Sequence, residues 1–182
     1  MSTPAGEAQQ GVVYEAPGDE YVRFASNFPF EETADQHAAI EAVISDMTSP
    51  QPMDRVVCGD VGFGKTEVAM RAAFLAVQSG RQVVVLVPTT LLARQHFENF
   101  RDRFADTAVN IGLISRFTSG KDANQTLESI KSGQTDIVIG THKLLSKSVE
   151  LPKMGLLIID EEHRFGVAQK RSLKHCALKS IF

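Results

Sequence analysis

An α/β fold built on a parallel sheet is predicted by two features of this 182-residue sequence. Short apolar runs at 56–58, 83–87, 111–114, 137–139 and 156–159 mostly alternate with stretches of helical periodicity. The runs are almost continuously apolar, as befits strands covered by helices on both faces. The length allows one such domain with a substantial core and falls short of two full lobes.

Taken in order, residues 1–27 have few periodic apolar positions and are rich in Gly, Pro and acids, which reads as a leader or linker, partly disordered. Thr33-Ala-Asp-Gln36 reads as a capping box opening a helix whose Ile40, Val43, Ile44 and Met47 share one face. Thr48-Ser-Pro-Gln-Pro52 ends it. Three further helices are predicted at 65–78, 91–104 and 122–131, with Gly80 and Gly133 as stops for the first and last. Phe97, Phe100 and Phe104 recur at helical spacing and are assigned to the core, with Arg94, Arg101 and Arg103 on the solvated face.

Composition excludes several classes. Hydrophobic residues are 43% and charged residues 23% of the chain, ordinary values for a folded domain. No apolar run approaches the ~18 residues of a membrane span, and the opening residues lack the pattern of a signal peptide, so a cytoplasmic setting without membrane contact is expected. Cys58 and Cys176 form neither a disulfide framework nor a zinc pattern and read as free thiols. The net charge of −3 makes no global case for nucleic acid, but its distribution is uneven. From residue 143 onward Lys143, Lys147, Lys153, Arg164, Lys170, Arg171, Lys174 and Lys179 outnumber Glu150, Asp160, Glu161 and Glu162. Any phosphate-backbone contact must therefore be local.

The strongest chemical signal is Gly59-Asp60-Val61-Gly62-Phe63-Gly64-Lys65-Thr66, which fits G-x-x-x-x-G-K-[ST] between a predicted strand and a predicted helix. Such a loop wraps closely enough for its N–H groups to face phosphates, and the following helix directs its positive end at them. Lys65 would reach the β and γ phosphates of ATP, and the Thr66 hydroxyl would hold Mg²⁺. A dinucleotide fingerprint fails, because Glu67 stands where G-x-G-x-x-G needs its last glycine. The run Leu156-Leu-Ile-Ile-Asp160-Glu161-Glu162-His163 delivers acids at the carboxyl end of a strand, where ligands bind in parallel sheets. Asp160 would hold Mg²⁺ opposite Thr66, and Glu161 is placed to polarise the water that attacks the γ phosphate. No N-K-x-D guanine signal argues for a GTPase.

These residues also carry a resemblance. GDVGFGKT at 59–66, PTTLLA at 88–93, GTHKLL at 140–145 and DEEHRFGV at 160–167 resemble motifs I, Ia, Ib and II of superfamily 2 helicases. GDVGFGKTEVAMRAAF and DEEHRFGV are more closely similar to the translocase module of the bacterial transcription-repair coupling factors, with RecG helicases as their nearest relatives. A RecG-type chain usually has a small residue in place of Phe63 and Gln in place of Glu162. The resemblance runs from about residue 28 to 170 and implies a RecA-like ATP-binding lobe over that span, followed by a divergent tail at 171–182. It also implies that Gln36 reads the adenine edge, although Gln36 equally completes the capping box. By the same resemblance Thr89, Thr90, Arg116, Thr141, His142 and Lys143 contact a DNA backbone, Thr90 being equally suited to cap a helix. Glu162 and His163 would couple the phosphate site to the DNA loops.

The activity implied is that of an ATP-dependent translocase on double-stranded DNA which removes stalled RNA polymerase and works with nucleotide-excision-repair proteins. The alternatives are a RecG-like branch-migration lobe or a non-catalytic nucleotide- or DNA-binding fragment. The S/T-A-T motif that follows DEEH in the family is missing, so a sheet lacking one central strand is expected, with weak nucleotide binding and negligible turnover by the chain alone.

Overall fold

The computed structural model describes residues 13–51, 53–58, 63–115, 118, 120–141, 149–160 and 177–181, with backbone alone at 54–58, 63 and 177–181. In chain order the elements are α1 (Asp19–Ser26), α2 (Ala34–Met47), β1 (Asp54–Cys58), α3 (Phe63–Gln78), β2 (Gln82–Leu86), α4 (Thr90–Arg103), β3 (Ile111–Ile114), α5 (Gly120–Lys131), β4 (Ile137–Gly140), β5 (Met154–Asp160) and β6 (Ala177–Ile181). Each strand and helix read from periodicity is present, shifted by one or two residues at some ends.

All strand pairs are parallel, in the order β1-β6-β5-β2-β4-β3. The expectation of a missing central strand is therefore corrected. β6, drawn from the divergent tail, lies between β1 and β5, pairing Ala177 to Ile181 with Asp54 to Cys58 and Ala177 to Ser180 with Leu157 to Asp160. The reason lies in the backbone. A slot between two strands presents unpaired N–H and C=O groups on both sides, and any extended segment able to enter it satisfies them, whatever its side chains.

Odd and even positions of the strands point to opposite faces. On one face Val83, Val85, Val87, Ile137, Ile139, Leu156 and Ile158 meet helices α1 to α4. On the other, Val84, Leu86, Val138, Leu157 and Ile159 meet Leu127 and Ile130 of α5. Every residue of β2 is buried, which explains its unbroken apolar run. Its one polar member, Gln82, is satisfied inside the protein. Its Nε2 donates to the carbonyls of Ile130 and Thr135, both at 2.9 Å, and its Oε1 accepts from the Lys153 N–H at 3.1 Å.

The helix ends follow local chemistry. Gln36 N–H donates to Thr33 Oγ1 at 3.1 Å and Thr33 N–H donates to Gln36 Oε1 at 2.8 Å, so the capping box at the start of α2 is complete. At the end of α3, Gly80 takes φ +78°, with Arg81 N–H bonded to Ala76 O and Gly80 N–H to Val77 O. That pair of bonds is the Schellman motif, and the left-handed residue it requires is a glycine. α4 is capped by Thr89, whose hydroxyl accepts from Leu92 N–H at 3.2 Å. Thr90, the residue thought suited to that task, is instead the first helical residue.

Residues 13–27 are not the leader or linker expected over 1–27. Tyr14, Tyr21 and Phe24 are buried, and the Phe24 ring stacks on Phe74 with centroids 4.4 Å apart. Tyr14 is tied at both ends, its N–H donating to Met47 O and its hydroxyl to Gly155 O. With only three aromatic anchors among polar residues, the stretch carries too weak a periodic signal to be read as part of a core. Phe100 and Phe104 join the same aromatic cluster, and Phe97 packs at its edge.

Candidate nucleotide-binding site

β1 ends at Cys58 and α3 begins at Phe63, so Gly64, Lys65 and Thr66 occupy the first turn of a helix that follows a strand. N–H groups in such a turn have no partner within the helix and point along its positive end. Positions 59–62, including Gly59, Asp60, Val61 and Gly62, lie outside the described residues. Across the sheet, β5 carries Asp160 as its last residue, on the same face as Ile158 and the α3–α4 layer.

These elements converge. A cavity of about 20 Å³ is lined by Lys65, Thr66, Val85, His96, Phe100 and Asp160, among others. Lys65 is 5% exposed and Asp160 4% exposed, so a cation and an anion are both withdrawn from water around one small space. Asp160 Oδ2 accepts a hydrogen bond from His96 Nε2 at 2.7 Å. Its other oxygen, Oδ1, is buried and has no hydrogen-bond partner among the described residues. An orphaned carboxylate oxygen in a residue that lines the same cavity as a threonine suits a small hard cation. Among the described residues no group of three or more His, Cys, Asp or Glu side chains would hold a metal alone.

Gln36 sits against the same turn. A Cβ built on Gly64 would lie 3.1 Å from Gln36 Nε2 and 3.3 Å from its Cγ, so α2 approaches α3 as closely as a glycine permits. The two readings of Gln36 are thus compatible. Its Oε1 serves the cap while its Nε2 lies beside the phosphate-loop helix.

Behind the first turn runs a buried ionic network that sequence reading missed. Glu67 is 3% exposed and accepts from Arg71 Nε at 2.7 Å, Arg103 Nε at 3.0 Å and Arg103 Nη2 at 2.7 Å. Arg71 also meets Glu32 at 2.8 Å, and Arg103 donates to Phe24 O at 2.7 Å while its guanidinium lies 3.8 Å from the Phe24 ring centroid. Arg103 is therefore not on a solvated face of α4. Burial works to lower the pKa of Arg71, and its carboxylate partners, Glu67 foremost, outweigh it and hold the group above its ordinary value. Beside this network a groove of about 400 Å³ runs from Thr66 and Met70 to Phe28 and Phe30.

Of the other predicted contacts, those described follow the carboxyl ends of strands. Thr89 is exposed and Thr90 half-buried just beyond β2, Ser115 follows β3, and Thr141, 7% exposed, follows β4. Arg116, His142, Lys143, Glu161, Glu162 and His163 lie outside the described residues. His96 was missed because a lone histidine among helical aromatics carries no spacing signal; only the fold brings it to Asp160.

The family model described as "DEAD/DEAH box helicase" matches residues 33–180, which takes in the phosphate-loop turn, Asp160 and β6. The chain belongs to the DEAD/DEAH box helicase family. Curated relatives of this helicase lobe include the transcription-repair-coupling factors of Haemophilus influenzae, 60% identical over 168 residues, and of Escherichia coli strain K12, 59% identical over 167 residues. Each alignment covers 92% of the chain and 15% or 14% of the relative, so the chain spans about one seventh of their length. Among solved structures, RecG bound to a three-way DNA junction is 32% identical with a TM-score of 0.84, covering 94% of this chain and 24% of that one. A hypothetical ATP-dependent RNA helicase from Sulfolobus tokodaii, 20% identical over 91% of this chain and 50% of its own with a TM-score of 0.65, shares the fold. The expected RecA-like lobe and its similarity to transcription-repair coupling factors are both borne out. Among the described residues no helix is long and apolar enough to cross a membrane.

Proposed function

We propose that this lobe binds ATP with Mg²⁺ and serves as half of the motor of an ATP-dependent double-stranded DNA translocase, one that removes stalled RNA polymerase in transcription-coupled repair. The observation that carries the reading is the convergence of Lys65, Thr66 and Asp160 on one buried cavity at the carboxyl edge of a parallel sheet. Lys65 neutralises charge on the β and γ phosphate oxygens, and the first-turn N–H groups of α3 hold them in place. Thr66 and Asp160 would hold the magnesium, which would supply screening of the phosphates and stabilisation of charge developing in phosphoryl transfer. Glu161, next in sequence after Asp160, takes the proton of the attacking water.

Gln36 contacts the adenine edge from its place beside Gly64, while Asp60 and the other loop residues from Gly59 to Phe63 wrap the phosphates. Thr89, Thr90, Arg116, Thr141, His142 and Lys143 contact the DNA backbone, and Glu162 and His163 couple those contacts to the phosphates. A second lobe must supply the cation that completes transition-state charge stabilisation, so turnover by this chain alone is negligible. The setting is cytoplasmic, with RNA polymerase and excision-repair proteins as partners of the longer protein.

A branch-migration lobe is the second reading, favoured by the TM-score of 0.84 to RecG. The higher identity to transcription-repair-coupling factors, 60% against 32%, supports the first reading. Grafting the chain into the E. coli relative in place of the matching segment separates the two. Retained ATP-dependent release of stalled RNA polymerase, abolished by Lys65→Ala, supports the first reading. Loss of release with ATP-driven movement of branched DNA retained supports the second.

A further inference from the structure

The carboxylate of Asp160 is held asymmetrically, and the group that holds it comes from α4, which also contributes Phe100 to the cavity wall. His96 lies in the seventh position of α4, with its side chain 15% exposed, and its Nε2 stands 2.7 Å from Asp160 Oδ2. A carboxylate only accepts at neutral pH, so Nε2 is the donor. Oδ1 of the same carboxylate is buried without a hydrogen-bond partner among the described residues. Both residues line the cavity that Lys65 and Thr66 also line. An isolated aspartate swings about its terminal torsion between near-equivalent orientations. A donor on one oxygen removes that freedom and leaves the other oxygen as the ligand, the relation by which outer-sphere partners orient metal-binding groups.

We propose that His96 is a positioning residue for the Asp160 carboxylate, fixing Oδ2 so that Oδ1 receives the divalent cation carried by the nucleotide. The inference rests on the reading of Lys65, Thr66 and Asp160 as a nucleotide site. α4 also begins at Thr90 with Thr89 as its cap, six to seven residues before His96, or about 10 Å along a helix rising ~1.5 Å per residue.

The test uses the 182-residue chain, with Mn²⁺ as probe and ADP as nucleotide, following free Mn²⁺ by electron paramagnetic resonance. His96→Ala is expected to weaken Mn²⁺ in the ADP complex at least tenfold, the lower end of the usual effect of losing such a partner. ADP binding in EDTA stays within twofold of wild type. His96→Gln, which offers an amide N–H to Oδ2, recovers a measurable part of the loss. His96→Leu keeps the bulk, removes the donor and carries the same expectation should the alanine variant fail to fold, as judged by thermal melting. Asp160→Asn separates the two levels of inference. Metal affinity lost in Asp160→Asn but unchanged in the folded His96 variants overturns the role of His96 alone. Metal affinity unchanged in Asp160→Asn overturns the nucleotide-site reading beneath it. An equal loss of ADP binding in EDTA for the His96 variants overturns the positioning role in favour of a purely structural one.

Discussion

Arg103 and Glu67 meet through two hydrogen bonds, Nη2 to Oε1 at 2.7 Å and Nε to Oε2 at 3.0 Å, across 36 residues of sequence. The contact joins the last turn of α4 to the residue immediately after Thr66, and through Arg71 and Glu32 it extends to the segment before α2. The phosphate-loop helix is therefore fixed from behind by ionic contacts whose partners are largely desolvated.

Removing the shared acid should be costly. Glu67→Ala leaves Arg71 and Arg103 buried without their common partner, and a loss of about 3–5 kcal/mol is expected, the range for breaking one side of a buried ion pair. Glu67→Gln, which keeps one acceptor, should lose less. Urea unfolding of the three proteins checks the order, and an alanine variant as stable as wild type would contradict it.

Gln82→Leu retains the bulk of a buried strand residue but strands the Thr135 carbonyl and the Lys153 N–H, while the Ile130 carbonyl keeps only its bond from Gly133 N–H. Each orphaned buried group costs about 1–3 kcal/mol. The variant is expected to lose several kcal/mol despite its greater hydrophobicity. Chemical denaturation measures this directly.

Gly64→Ala tests the closeness of α2 and α3. The added methyl would stand 3.1 Å from Gln36 Nε2, so the amide must move and the α2 cap must loosen with it. A modest stability loss of about 1–2 kcal/mol is expected, of the size seen for damaged caps. Nucleotide affinity should fall as well, because the group displaced is the Gln36 amide proposed to contact the adenine edge. Calorimetric titration beside a thermal melt distinguishes the two effects.

Acid should weaken the network through Glu32. The hydrogen bond from His37 Nδ1, at 3.1 Å, does most to hold this carboxyl below its ordinary 4.5, aided by Arg71 and opposed by burial. With the folded value depressed, the stabilisation is complete above the unfolded value and is lost as pH falls through the folded one. Asp136 works in the opposite sense, since burial raises it. The relevant observable is therefore the difference between wild type and Glu32→Gln, which should be greatest above pH ~5 and vanish in acid. A difference independent of pH between 3 and 7 would contradict the assignment.

The sequence carried the architecture where periodicity and turn chemistry agree. The continuous apolar runs of β2, β4 and β5, the Thr33–Gln36 box and the Gly80 stop could all be read because each is a local signal. Lys65, Thr66 and Asp160 could be read because phosphate binding demands residue types at fixed spacing. Three kinds of feature escaped. β6 was missed because a strand inserted between two others is selected by backbone pairing, and 177–181 lacked the side-chain motif sought. Residues 13–27 looked like a linker because their anchoring depends on three aromatics that find α2, α3 and β5 only in the fold. Arg103 and His96 were misread or overlooked because helical periodicity marks a face as polar without saying what stands opposite it.

The central claim, that Lys65, Thr66 and Asp160 form a working Mg²⁺-ATP site, is tested most directly by titrating the purified chain with a fluorescent ATP analogue and Mg²⁺, beside Lys65→Ala. Saturable binding by the wild type, weakened at least tenfold in a variant that melts as cooperatively, is the predicted result. A cooperatively folded wild type that binds no nucleotide, or a Lys65→Ala variant that binds equally well, would contradict it.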